Sequence, residues 1–125
     1  DLEIDRVKIL LEIKNIKNVY CINSIDVVVN ASDQNWGNTG HNQIWFNIKS
    51  NNSQDFRYNL FNVDHNKYDG FHDYQKKLTI KTDPVLFSRL QTSDLIQLKC
   101  NCVPYGGWEM KVKYAKIVLL YQVFP

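Results

Sequence analysis

The stretch Ile25-Asp26-Val27-Val28-Val29-Asn30-Ala31-Ser32 decides the fold class. Apolar side chains at 25, 27, 29 and 31 alternate with a mostly polar set at the even positions, which is the period of a strand. Half-buried antiparallel strands have this pattern because one face of the sheet packs on the core and the other meets solvent. The stretch therefore predicts a strand with one buried face.

The same alternation recurs along the chain, with turn-rich segments between the runs. The runs lie at 44–48, 56–61, 77–81, 96–102 and 115–120. Seven or eight strands at a spacing of roughly 8–12 residues are typical of a β-sandwich. We therefore predict a single all-β domain over residues 1–125, an antiparallel β-sandwich.

Two segments depart from the simple alternation. In residues 7–13 the apolar positions fit a strand and also one face of a helix, and the β-branched content favours the strand. Asp83-Pro84 is typical of a helix start, with a capping residue followed by proline in the first turn. It predicts a short helical turn near residues 84–90.

Composition excludes several classes of protein. The chain has 125 residues, 44% hydrophobic and 22% charged, with a formal net charge of +2. This charge is too small to favour nucleic acid or a membrane surface, and no apolar run approaches the roughly 20 residues of a spanning helix. We expect neither partner. The missing initiator Met leads us to expect an excised or processed piece of a longer protein.

The cysteines bear on the compartment. There are three, and Cys100 and Cys102 lie two residues apart on one predicted strand face, which suits buried thiols better than a disulfide. Reduced thiols favour a cytoplasmic location. Sequons at Asn30 and Asn51 leave secretion open, so the localisation is not decided.

Two stretches resemble a known module. The first is Ser32-Asp33-Gln34-Asn35-Trp36-Gly37-Asn38 followed by Gln43-Ile44-Trp45-Phe46, and the second runs from Ser88-Arg89-Leu90 through Pro104-Tyr105-Gly106-Gly107-Trp108. Together they resemble a fungal and protist galactose-binding-like jelly-roll module that often follows ankyrin or other repeats. The chain departs from its pattern at Asn35 and Ser93, where the module has glycine, and in the Pro104–Trp108 loop. The resemblance implies the jelly-roll fold and a binding role.

Catalytic chemistry has little support in the sequence. His41, His65 and His72 are the three histidines, and all lie in predicted loops. We find no nucleophile elbow, phosphate-binding loop or paired metal-ligand motif. The sequence therefore predicts a protein that is not an enzyme and that needs no cofactor.

A calcium site is one interpretation of the segment 64–73. Its oxygen-bearing candidates are Asp64, Asn66, Asp69 and Asp73. The spacing misses the EF-hand pattern, because Gly70 falls one position late and Lys67 opposes a cation. Galactose-binding-like folds often hold a structural calcium, but a solvated turn is the favoured interpretation here.

The predicted ligand site lies in two loops. Its residues are Asp33, Gln34, Asn35, Trp36, Asn38, Tyr105 and Trp108. Aromatic rings pack on the C–H faces of sugars, and the polar side chains can pair with hydroxyl groups. For the first loop the favoured interpretation is structural, with Asp33 and Gln34 bonding loop backbone amides and Trp36 closing the end of the sandwich. In the second loop Trp108 could equally reach a ligand or fold back over the core.

Two functions remain as hypotheses. The first is a lectin-like module that binds a carbohydrate through loops at one rim of the sandwich. The second is a protein-interaction or homo-oligomerisation module without a small-molecule ligand. Its interface would use outward apolar side chains, namely Val28, Phe61, Val118 and Leu120.

Overall fold

The computed structural model describes residues 7–14, 19–33, 43–51, 53–62, 75–101 and 110–124. Over these ranges the chain forms seven strands and one helix. In chain order they are β1 (Val7–Lys14), β2 (Val19–Asp33), β3 (Gln43–Lys49), β4 (Phe56–Asn62), β5 (Gln75–Ile80), α1 (Pro84–Gln91), β6 (Leu95–Asn101) and β7 (Met110–Val123). The predicted all-β fold class is confirmed.

The strands form two antiparallel sheets. One has four strands in the order β1-β6-β3-β4, and the other has three in the order β5-β2-β7. The jelly-roll connectivity within this two-sheet architecture stays a prediction. No helix in the described ranges is both long and apolar enough to cross a membrane.

The core lies between the sheets and follows the predicted alternation. Val27 and Val29 of β2 are 0% exposed, and Phe46 of β3 and Leu98 of β6 are 1% and 0% exposed. Side chains of both sheets and of α1 belong to one buried cluster. Each such residue stabilises the fold by roughly 1.5–3 kcal/mol, so hydrophobic burial between the two sheets is the main stabilising interaction.

The two segments that depart from the alternation form the predicted strand and the predicted helix. Residues 7–14 form β1, which pairs along its length with β6. The helix begins at Pro84, and the Asp83 side chain accepts a 3.1 Å hydrogen bond from the Leu86 backbone N–H. Leu86 and Leu90 face the core, which explains why a helix of two turns is stable at this position.

The cysteine prediction is confirmed in part. Cys21 carries a free thiol and is partly buried, and Cys100 is buried as expected. Cys102 lies outside the described residues. The compartment therefore stays a prediction.

The outward position predicted for Phe61 is wrong. Ile44 pairs with Phe61 whereas Trp45 pairs with Asn59, so β4 contains one extra residue, Leu60, at a β-bulge. The bulge interrupts the two-residue period, and both Leu60 and Phe61 pack against the core. Phe61 is therefore removed from the interface hypothesis.

Candidate functional site

Two of the predicted loops begin and end side by side. In the three-stranded sheet, Asp33 at the end of β2 pairs with Met110 at the start of β7. In the four-stranded sheet, Gln43 at the start of β3 pairs with Asn101 at the end of β6. The segments 34–42 and 102–109 therefore both cross between the sheets at one end of the sandwich.

A third connection uses the same end. β4 ends at Asn62, which pairs with Gln43, and β5 begins at Gln75, which pairs with Asn30 near the end of β2. The segment 63–74 joins these two strand ends. We call this end of the sandwich the loop end. Connecting loops held by a rigid scaffold are where binding residues concentrate.

Most of the predicted site residues lie outside the described residues. Those for ligand binding are Gln34, Asn35, Trp36, Asn38, Tyr105 and Trp108, and those for calcium are Asp64, Asn66, Asp69 and Asp73. Asp33 is the last residue of β2. All of them belong to, or border, the three segments that leave from the loop end. The described ranges contain no group of three His, Cys, Asp or Glu residues that could hold a metal ion.

The outer face of the four-stranded sheet carries a row of hydrogen-bonded polar side chains. Gln97 Nε2 donates to Glu12 Oε1 at 3.0 Å, and Asn47 Nδ2 donates to Gln97 Oε1 at 3.2 Å and to Asp55 Oδ2 at 3.1 Å. Asn47 and Gln97 are only 7% and 5% exposed. Buried amides need such partners, so the row fixes side chains from β1, β6 and β3 together with the residue preceding β4.

Asp55 ends this row at the solvent-exposed side. The hydrogen bond from Asn47 lowers the pKa of the Asp55 carboxyl group, and the positive charge of Lys49 adds to that effect. The Lys49 Nζ lies 3.5 Å from Asp55 Oδ2. Asp55 is therefore ionised at neutral pH and acts as an acceptor only.

A tryptophan and an arginine lie next to this row. The Cζ atom of Arg57 is 3.8 Å from the ring centroid of Trp45, and Trp45 is 5% exposed. The Arg57 Nε donates to Asn59 Oδ1 at 2.9 Å, and its Nη2 donates to Gln43 Oε1 at 2.7 Å. The guanidinium is thus held in one orientation on the outer face of the sheet, beside the first residue of β3.

Sequence reasoning missed this pair. Trp45 and Arg57 both belong to the outward set of their strands, but the alternation gives no register between the strands. Pairing of Trp45 with Asn59 brings Arg57 within reach across the hairpin. The one sequence feature that could have indicated this contact is the short connection over residues 50–55, because a short connection makes β3 and β4 neighbours in the sheet.

The opposite end of the sandwich, which we call the helix end, is closed by α1 and its flanking turns. Tyr58 Oη donates to Asp83 Oδ2 at 2.9 Å, and burial together with this negatively charged acceptor raises the pKa of Tyr58. Ser93 Oγ donates to the Leu90 carbonyl at 2.7 Å, and the Asp94 N–H donates to the Lys49 carbonyl at 2.8 Å. These contacts join the helix to β3 and β4.

Comparison with known proteins gives no relative. No protein-family model, no curated protein and no solved structure matches the chain. The resemblance to a galactose-binding-like module therefore stays a prediction, and the functional argument depends on the chain's own residues.

Proposed function

We propose that this chain is a non-catalytic recognition module that binds carbohydrate through the loop end. The observation that carries the proposal is the pairing of the strand ends that flank segments 34–42 and 102–109. Trp36 belongs to the first segment and Trp108 to the second. Two aromatic residues thus belong to connecting segments whose flanking strand ends are paired with each other in the two sheets.

The residue types in these segments suit a sugar. Indole and phenol rings at Trp36, Tyr105 and Trp108 offer flat apolar surface for the C–H face of a pyranose. Carboxylate and amide groups offer paired acceptors and donors for its hydroxyl groups. These polar residues are Asp33, Gln34, Asn35 and Asn38.

A glycan array followed by titration calorimetry tests the proposal. We expect Trp36→Ala and Trp108→Ala each to lower affinity for the selected glycan at least about tenfold, as loss of a central aromatic contact does. Phe124→Ala is the matched control, because Phe124 is an aromatic residue that is 62% exposed at the helix end. It should bind like the wild type.

Two results would contradict the proposal. One is the absence of glycan binding by the wild-type chain. The other is loss of binding only together with loss of the folded circular dichroism signal, which would make Trp36 and Trp108 parts of the core.

A second candidate function is self-association through β7. Exposed apolar side chains collect near the end of this edge strand, where Leu120 is 56% exposed and Val123 48%, and the Tyr20 ring lies 5.0 Å from that of Phe124. Surface of this kind is typical of contacts between chains. Sedimentation velocity of the wild type and of Leu120→Lys tests it, since a dimer should dissociate in the variant. A monomer at high concentration would reject it.

A further inference from the structure

The feature that carries a further inference is the fixed guanidinium of Arg57. Three contacts hold it: the ring face of Trp45 at 3.8 Å, Asn59 Oδ1 at 2.9 Å and Gln43 Oε1 at 2.7 Å. Arg57 is nevertheless exposed to solvent. Its orientation is therefore set before any ligand arrives, and a ligand need not restrict a flexible side chain.

The hydrogen bonds leave one edge of the guanidinium available. Of its five N–H donors, the one on Nε and one of the two on Nη2 are used. The two donors on Nη1 and the second donor on Nη2 bond to no acceptor in the described part of the chain. Two parallel N–H groups in this arrangement match the two oxygens of a carboxylate or sulfate.

The charge of Arg57 is not neutralised by its neighbours. Both of its acceptors, Asn59 and Gln43, are neutral amides, and within the described ranges no carboxylate lies at ion-pair distance from it. Asp55 is paired with Lys49 instead. Lys99 of β6 pairs with Trp45 of β3 in the strand register, so it places a second positive charge beside Trp45 on this sheet.

We propose that Arg57, supported by Trp45, is an oxyanion receptor and that the carbohydrate bound by this chain is acidic. This inference rests on the proposed function, because Arg57 bonds to Gln43 at the start of β3, at the loop end. The receptor binds the carboxylate or sulfate group of the sugar through the open guanidinium edge. Arginine suits this role because its donors form a rigid planar fork.

Titration calorimetry with three ligands tests the inference. They are a uronic acid oligosaccharide, its neutral methyl ester, and a sulfated oligosaccharide of equal length. We expect one acidic ligand to bind at least about tenfold more tightly than the neutral ester, since a charge-assisted hydrogen-bond pair has about that effect. The comparison of the two acidic ligands identifies the preferred group.

Variants assign the effect to Arg57. Arg57→Gln should abolish the preference for the acidic ligand and leave the affinity for the ester unchanged, and Arg57→Lys should retain only part of it. Arg89→Gln is the matched control, because Arg89 also lies over an aromatic ring, 5.0 Å from Phe56, on a helix away from this face. It should keep the full preference. Thermal melting checks that all three variants are folded.

The outcomes separate the two proposals. If the ester and the acids bind equally well, the inference is wrong and the carbohydrate-binding function stands. If Arg57→Gln and Arg89→Gln weaken binding of the acidic ligand equally, the preference comes from the overall charge of the protein, and the assignment of an oxyanion receptor to Arg57 is wrong. If none of these three glycans binds, the inference is wrong, and if no glycan on the array binds either, both proposals are wrong.

Discussion

The two ends of the sandwich differ in how their polar groups are used. At the helix end, α1 lies between β5 and β6, and contacts of Asp83, Ser93 and Asp94 join it to β3 and β4 or complete its own cap. At the loop end, strand ends lead into three connections that together carry Trp36, Trp108 and the acidic segment 63–74. At the helix end polar side chains stabilise the fold, whereas at the loop end the polar and aromatic residues belong to the connecting segments.

This difference suggests that the two ends of the sandwich have different roles, one in stability and the other in binding. A binding surface needs polar and aromatic groups that are not already used by the fold, and such groups lower stability unless the rest of the molecule supplies it. The capped helix and the polar row supply that support. Substitutions at the helix end should therefore change stability, and substitutions at the loop end should change binding.

The largest expected effect is that of Leu86→Ala. Leu86 is 0% exposed beneath the helix, and its truncation should lower the free energy of unfolding by about 2–5 kcal/mol. Val85→Ala is the neighbouring control, because Val85 is 59% exposed and should change stability by less than about 0.5 kcal/mol. Urea unfolding followed by circular dichroism measures both. Equal effects would show that α1 does not close the core.

Asn47→Ala should have the next largest effect. It removes the donor to both Gln97 and Asp55 and leaves a buried amide oxygen without a partner, at a cost of about 1–3 kcal/mol. A double-mutant cycle with Gln97→Leu should show coupling of about 0.5–3 kcal/mol, because the two side chains share a hydrogen bond. If urea unfolding shows that the free-energy losses of the two single variants simply add in the double variant, the side chains of the polar row do not stabilise the fold as a unit.

Asp83→Ala should cost about 1 kcal/mol through loss of the N-cap. The same change removes the acceptor for Tyr58, so the pKa of Tyr58 should fall towards its ordinary value of 10.0. Thermal unfolding gives the first effect, and ultraviolet titration of tyrosine compared with Tyr58→Phe gives the second. Asp83→Asn retains a capping oxygen and should recover most of the stability. A cap that contributes nothing would leave all three proteins equally stable.

The acid titration of Asp55 should show a smaller effect. Its folded-state pKa lies below the ordinary value of 3.8, so its stabilising contribution is present above that value and is lost as the pH falls through the folded-state pKa. In Asn47→Ala the pKa of Asp55 should rise towards 3.8 because the largest cause of the shift is removed. Carboxyl NMR titration measures both proteins. An unchanged pKa would assign the shift to Lys49 instead.

The smallest effect on stability is expected at the loop end. If the proposed function is right, Trp36→Ala should weaken glycan binding and change the free energy of unfolding by less than about 0.5 kcal/mol, as substitutions at surface positions do. A loss comparable to that of Leu86→Ala would remove the contrast between the two ends. Urea unfolding of both variants in one buffer makes the comparison direct.

Much of the fold was predictable because burial of one sheet face imposes a two-residue period. Ile25, Val27 and Val29 are buried as that period requires, and Asp83-Pro84 fixed the start of α1 through local chemistry. The bulge at Leu60 was not predictable, because an extra residue in β4 depends on its pairing with β3. That single irregularity turned Phe61 from the outer face to the core.

The side-chain contacts on the outer face of the four-stranded sheet could not be predicted from the sequence, for a similar reason. Asn47 and Gln97 are 50 positions apart, and their hydrogen bond depends on which strands are neighbours. Arg57 contacts Trp45 because β3 and β4 form a hairpin with a particular register. Composition indicated that aromatic and amide groups were abundant, but only the register brings particular ones together.

The pairing of β2 with β7 has a consequence for biosynthesis. β2 ends at Asp33, and its main partner begins at Met110, so the three-stranded sheet joins segments that leave the ribosome far apart in time. Contacts of such long sequence separation slow folding, because a large loop must close before they form. β5 can pair with one edge of the valine-rich β2 earlier, but the other edge stays unpaired until β7 has been synthesised, and an unpaired strand edge favours aggregation of a folding intermediate.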